Sequence, residues 1–274
     1  MITQKYTMSE NNFNTHTKLP VSLCMVVLNE ASRLKICFQH IGNVVDEILV
    51  LDTGSTDNTA DVAKALGARV FSYEWDENFS NARNILLEKA RNDWVLWMDG
   101  DEYYPPELVK EIHDRITSTS NCSGYYFPRR NHYFGKWLRY GGNYPDYQLK
   151  LFKKSESSVF LSRVHEKVKL RGKAGYFTNW CEHHPYPTVD EYFRKFKYYT
   201  TLDAKRLLDE GEKVSAVNTV KWLFFKPVGR FVKRYLLRGG FLNGIPGLFA
   251  AVFDAAGYIV RYIKLWELQK GDVR

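Results

Sequence analysis

Three apolar runs in the first hundred residues each stop at polar, mostly acidic side chains, and this repeat restricts the fold more than any other feature. Residues 21–28 (VSLCMVVL) stop at Asn29-Glu30, residues 47–51 (EILVL) at Asp52, and residues 94–98 (WVLWM) at Asp99-Gly100-Asp101. Short apolar runs bounded by turn signals read as buried strands. Helical patterns lie between them. Residues 34–41 are amphipathic, Thr56 can cap a helix reaching Leu66, and Phe79, Ala82, Leu86 and Ala90 recur at helical spacing. A further short strand is expected at 69–71. This alternation predicts an α/β domain with a Rossmann-like, mostly parallel central sheet and helices on both faces. In a parallel sheet all carboxyl ends share one edge, and ligands bind there. Polar and acidic residues at three successive strand ends therefore predict a nucleotide-plus-metal site.

What is missing narrows the chemistry. Neither G-x-x-x-x-G-K-[ST] nor G-x-G-x-x-G follows a strand, so the chain carries no P-loop and no dinucleotide fingerprint. Phosphates would then be held mainly by a metal. Paired carboxylates on the short D-G-D turn suit a hard divalent cation. Asn29, Glu30 and Asp52 can accept from ring N–H and hydroxyl groups of a nucleoside.

The ordered set VVLNE (26–30), DTGSTDNT (52–59), ARN (82–84) and WMDGDEYY (97–104) resembles the family 2 glycosyltransferases with the GT-A fold. The resemblance implies a nucleotide-sugar donor, most often a UDP-sugar, and an inverting reaction. It implies that Asn29, Glu30 and Asp52 contact the nucleoside and that Arg83 lies near the donor. Asp99 and Asp101 would form the DXD motif that carries Mg²⁺ or Mn²⁺ on the diphosphate. Taken alone, Arg83 reads equally well as a surface or ion-pair residue.

Pro105-Pro106 suit the start of a helix over 107–116, after which the pattern turns short, aromatic and β-like at 124–130, 137–142 and 147–153. This half is expected to define the acceptor. Inverting transfer needs a base for the acceptor hydroxyl. Asp146, in YPDYQLKLFKK, resembles the D-[FY]-[RQ]-L segment of membrane-associated relatives, where the aspartate is the base. Glu166, in VHE, resembles the lipopolysaccharide-core β-glucosyltransferase branch. Asp146 is favoured and Glu166 stays open. His184-Pro185-Tyr186 and the string RGGFLNGIPG…KLWE fit the same branch.

The formal charge of +8 is unevenly placed: residues 221–274 hold ten Lys/Arg against Asp254, Glu267 and Asp272. From Pro227 onward, Val228, Phe231 and Tyr235 form one stripe, with Arg230, Lys233, Arg234 and Arg238 mostly opposite. That is the pattern of a basic amphipathic helix at an anionic membrane surface. Residues 241–260 are apolar but interrupted by Pro246, three glycines and Asp254, so an interfacial or re-entrant segment is expected rather than a span. Trp222 and Trp266 bracket it as interface anchors would.

The first nineteen residues are polar and lack the apolar core of a secretory signal. Cys24, Cys37, Cys122 and Cys181 form no C-x-x-C, which suits reduced thiols in the cytoplasm. Cys181-Glu182-His183-His184 lacks the second ligand pair of a zinc cluster. The expected layout is a flexible arm (1–19), a glycosyltransferase domain (20–210) with nucleotide-sugar (20–120) and acceptor (121–210) halves, and a basic helical, membrane-associating tail (211–274). The expected function is metal-dependent transfer of a hexose, with glucose from UDP-glucose as the leading case. The acceptor would be a lipid-linked saccharide such as the lipopolysaccharide inner core, at the cytoplasmic face of an inner membrane. A protein or peptide glycosyltransferase of the same fold and an inactive nucleotide-sugar-binding module are the competing readings. No nucleic-acid partner is expected, since no fold motif supports one.

Overall fold

The structure, a computed structural model, describes residues 18–119, 121–158 and 168–271. One compact unit comprises the chain up to Arg129 together with Tyr147–His183; the other comprises Arg130–Asp146 together with His184–Arg274.

The first unit opens with β1 (Leu19–Val27), α1 (Ala31–Phe38), β2 (Val45–Asp52), α2 (Thr59–Ala65), β3 (Arg69–Ser72), α3 (Phe79–Lys89) and β4 (Trp94–Trp97). β1 pairs in parallel with β2 and β4, and β2 with β3. The apolar runs are continuous because alternate residues enter two cores. Val21, Leu23, Met25 and Val27 of β1 join one cluster with Leu34, Phe38, Leu108 and Ile112, while Cys24 joins another with Leu49, Leu51, Ala82, Leu86 and Trp97. A strand covered on both faces has no polar alternation to show.

Beyond β4 come β5 (Glu102–Tyr103), α4 (Pro106–Thr117), β6 (Cys122–Tyr133), β7 (Lys136–Trp137), β8 (Asp146–Lys153), β9 (Lys173–Tyr176) and β10 (Cys181–Tyr186). The sheet order is β3-β2-β1-β4-β8-β6-β10-β5, with β7 and β9 also on β6. The expectation of a mostly parallel sheet is correct for β3-β2-β1-β4 and for the short β6–β9 pair. β8 runs antiparallel to β4, β7 to β6 and β5 to β10. Parallel pairs generally need a helical crossover, and among the described residues no α-helix lies between α4 and the helix that follows β10.

α2 also starts later than Thr56. The Thr56 and Asp57 backbone N–H groups donate to Asn29 Oδ1, at 2.8 and 3.3 Å, which holds this stretch out of the helix. Asn78 caps α3 through Ser80 N and Asn81 N, as its position before a helical pattern requires.

The second unit is built on α5 (Val189–Asp209), α6 (Ala216–Val220), α7 (Lys226–Phe231) and α8 (Ile245–Lys270). α5, placed by sequence with the catalytic domain, packs along α8. Its Tyr192 ring lies 4.8 Å from Phe249 and 4.7 Å from Tyr186. α6 and α7 belong to one uninterrupted helical rod over 216–237, in which π-helical turns Lys221–Phe225 and Val232–Leu237 alternate with the α-helical ones. Trp222 stacks on Tyr262 in a small buried cluster with Leu207 and Leu265.

The segment 241–260 is less broken than its composition implies. A 3₁₀ turn, Gly240–Asn243, leads directly into α8, with Pro246 in the first turn, where its missing N–H costs nothing. Gly247 is required by close approach: a Cβ there would sit 2.2 Å from the Gly240 carbonyl oxygen. Asp254 is tolerated inside the apolar helix because Arg230 Nε and Arg234 Nη1 reach it at 2.6 and 2.5 Å. Among the described residues no helix is long and apolar enough to cross a membrane.

Candidate active site

In the first unit, the loops after β1, β2 and β4 leave from one edge of the sheet. β1 is followed by Leu28 and then Asn29, whose positive φ of 56° is a conformation asparagine tolerates better than most residues. Its Oδ1 bridges to the loop after β2, and its N–H donates to Ser55 Oγ at 2.9 Å. Glu30 N donates to Thr59 Oγ1. These bonds clip the two loops together. Asp52 closes its own turn, with Oδ1 accepting from Gly54 N and Ser55 N at 3.1 and 2.8 Å.

The D-G-D turn packs on Glu30. A Cβ at Gly100 would lie 2.9 Å from Glu30 Cγ, so a side chain at the middle position would have to displace Glu30. Glu30 is also ion-paired with Arg33 at 3.1 Å.

The two aspartates of the turn have different neighbours. Asp99 faces cations, with Lys150 Nζ 2.6 Å from Oδ2 and Arg83 Nη2 3.6 Å from Oδ1. Lys150, buried on β8, is also 2.7 Å from Glu102 Oε1, which Arg129 Nη1 approaches at 3.7 Å. Glu102 Oε2 accepts from Asp99 N at 3.2 Å, which fixes the turn. The Arg83 guanidinium lies 4.7 Å from the centre of the Trp97 ring and is thereby aimed at Asp99. Asp101 instead lies beside an imidazole, its Oδ1 3.3 Å from His183 Nε2. The β10–β5 ladder, in which His183 opposes Glu102, brings that histidine to the turn.

The electrostatics follow from this packing. Burial pushes the Asp99 carboxyl up, but Lys150 and Arg83 outweigh it and hold the group well below the usual carboxylate range, with Asp101 opposing. Burial pulls the Lys150 ammonium down, and the Asp99 and Glu102 carboxylates more than offset this, raising it. Lys150, Arg129 and Arg83 thus balance Asp99, Glu102 and Asp101. Such a cluster can keep Asp99 ionised at the sheet edge and present it to a cation or to ligand hydroxyl groups.

Asn29, Glu30, Asp52, Arg83, Asp99 and Asp101 all fall on this edge or its flanking helix α3 within the first unit. Asp146 opens β8 in the second unit, where its Oδ2 accepts from Asn131 Nδ2 at 3.2 Å. Glu166 lies outside the described residues. Sequence reasoning missed Lys150, Arg129, Glu102 as an anchor, and His183. The one available signal was a lysine flanked by Leu149 and Leu151 in a strand, a position an outward-facing lysine can fill equally well.

A half-parallel sheet with acidic groups at its exit edge is the framework of a GT-A glycosyltransferase. Residues 22–169, more than half of the chain, match the model of Glycosyl transferase family 2, and the chain belongs to that family. An uncharacterized glycosyltransferase of Rickettsia felis is 26% identical over 265 residues, covering 90% of this chain and 89% of its own length. The lipopolysaccharide core biosynthesis glycosyltransferase LpsC of Rhizobium meliloti is 25% identical over 256 residues, covering 91% and 93%. Among solved structures, glucosyl-3-phosphoglycerate synthase from Mycobacterium tuberculosis, in complex with Mn²⁺ and UDP-glucose, aligns at 25% identity and a TM-score of 0.35. That alignment covers 42% of this chain and 44% of the other.

Proposed function

We propose that this glycosyltransferase moves a hexose, with glucose from UDP-glucose as the leading case, onto a lipid-linked saccharide of the lipopolysaccharide-core type, working peripherally at the cytoplasmic face of an inner membrane. The observation that carries the donor half is the unequal pair of aspartates: Asp99 is neutralised by Lys150 and Arg83, whereas Asp101 stands beside His183. The carboxylate is a donor for a hard divalent ion such as Mn²⁺ or Mg²⁺, and the imidazole beside it adds a nitrogen that Mn²⁺ accepts more readily than Mg²⁺. In this reading Asp101 and His183 hold the ion, and Asp99 is a fixed acceptor for the donor. When bound, the ion offsets charge building on the leaving phosphate oxygen. Asp52 accepts from the nucleoside, and Asn29 and Glu30 serve it by shaping the loops around it. The similarity to LpsC over most of both chains supports the acceptor class.

For the transfer, Asp146 takes the proton of the acceptor hydroxyl while that oxygen bonds to the anomeric carbon. The bond from that carbon to the diphosphate oxygen breaks on the opposite face, and its electron pair leaves with the diphosphate. Asn131 orients the base through its bond to Oδ2. Asp146→Asn should lower kcat by about 10²–10⁴, the usual contribution of a general base, while leaving UDP-sugar binding intact. Near-normal turnover would move the role to Glu166.

The donor assignment is tested by a panel of UDP-, GDP- and dTDP-sugars scored by thermal shift with and without Mn²⁺. UDP-glucose with Mn²⁺ should give the largest stabilisation, since ligands that bind only the folded state raise its melting point. A panel in which no nucleotide sugar stabilises the protein in a metal-dependent way would end this reading.

A further inference from the structure

Among the described residues, none covers the outer side of the rod over 216–237. An α turn takes 3.6 residues and a π turn takes more, because its hydrogen bonds reach one residue further. Alternating the two brings the repeat to about four residues per turn, so residues four apart lie above one another. Val220, Phe224, Val228, Val232 and Leu236 form one such line, with Val232 half-buried and the other four exposed to solvent. The adjacent line is Lys221, Phe225, Gly229, Lys233 and Leu237, every one exposed, with Phe225 at 64% and Leu237 at 78%. The inward side is accounted for by Trp222 on Tyr262, and by Arg230 and Arg234 on Asp254. The outer strip has no such role in the fold.

We propose that this strip docks the protein on an anionic bilayer, with Phe224, Phe225, Leu236 and Leu237 at the headgroup–acyl boundary and Lys221 and Lys233 on lipid phosphates. Charge selects this occupant. Residues 213–253 contain no Asp or Glu and seven Lys or Arg. A second copy laid on the strip would face Lys221 and Lys233 with the same basic, acid-free surface. A bilayer supplies a phosphate for each lysine and an apolar layer for the rings between them, the arrangement of an interfacial amphipathic helix. Nucleic acid would match the lysines but not four exposed apolar side chains alternating with them. The proposal deepens the membrane location above, and lipid binding tests it without sugar transfer, so its failure leaves the transferase reading standing.

The full chain should co-sediment with vesicles of equal parts phosphatidylcholine and phosphatidylglycerol, and much less with phosphatidylcholine alone. Lys221→Gln with Lys233→Gln should weaken the anionic binding about thirty-fold, roughly fivefold per lysine. Phe224→Ser, Phe225→Ser and Leu237→Ser together should lose binding to both vesicle types by at least as much. Because these side chains are exposed, the melting temperature and the UDP-sugar thermal shift should match the parent. Variants that bind anionic vesicles like the parent would overturn the proposal. So would a parent that ignores vesicles but binds duplex DNA, or one that is a dimer in solution which the triple variant splits.

Discussion

Lys150→Met is expected to destabilise the protein by about 3 kcal/mol, at the lower end of the range for breaking a buried ion pair from one side. The lower end applies because the two carboxylates it leaves behind differ: the Glu102 side chain is fully buried, while Asp99 keeps a third of its side chain in water. For a chain of this size that corresponds to a melting point roughly 6–12 °C lower. Lys150→Arg should recover much of the loss. The effect also has a pH signature. Asp99 has a depressed folded pKa, so its share of the stability is present above the unfolded aspartate value of about 3.9 and disappears as pH falls below it. Lys150 has a raised pKa, so its share is present below its unfolded value of about 10.4 and disappears as pH rises through the folded one. The parent should therefore exceed Lys150→Met by a constant margin near neutrality, a margin that narrows in acid. A margin unchanged down to acid denaturation would mean that Lys150 acts by packing alone.

Asp101→Asn should leave the fold intact and remove the metal response. With the carboxylate gone, kcat/KM for transfer should fall by about 10²–10³, the loss of roughly 3–4 kcal/mol of charge stabilisation that a bound divalent ion supplies. The Mn²⁺-dependent part of the UDP-sugar thermal shift should disappear, while the melting point without metal stays within about 1 °C. His183→Ala should reproduce the same loss more weakly. Full retention of the Mn²⁺ response by Asp101→Asn would place the ion on Asp99 and require Lys150 and Arg83 to release it.

Much of the parallel part of the sheet was legible because its signals are local. Val21, Leu23, Met25 and Cys24 enter cores on opposite faces, and that leaves an unbroken apolar run in the sequence. Glycine between the two aspartates of the turn after β4 lets Glu30 pack against it, and the D-G-D pattern is the trace of that contact. The cation side of the site was not legible because nothing nearby in sequence indicates it. Lys150 meets Asp99 from 51 residues away, and His183 reaches Asp101 through a ladder joining β10 to a two-residue strand. By sequence Asn29 is expected to contact the nucleoside, whereas much of its bonding joins two loops of the protein itself. The tail was read at a period of 3.6, which separates side chains that the π turns bring into line. Asp254 was read as a break in an apolar segment because Arg230 and Arg234 lie a rod's length earlier in the chain.

The alternating turns of that rod give it an unusual response to changes in length. Substituting an outer residue alters only the surface, since the inner side alone carries Trp222 and the pair of arginines that grip Asp254. Deleting a single residue upstream of Arg230 rotates everything after it by about 90° at four residues per turn. That would turn Arg230 and Arg234 off their aspartate and carry Lys233 and Leu237 around with them. The length of this segment is therefore held more strictly than its composition, and natural variation in it should appear as exchanges of one side chain for another.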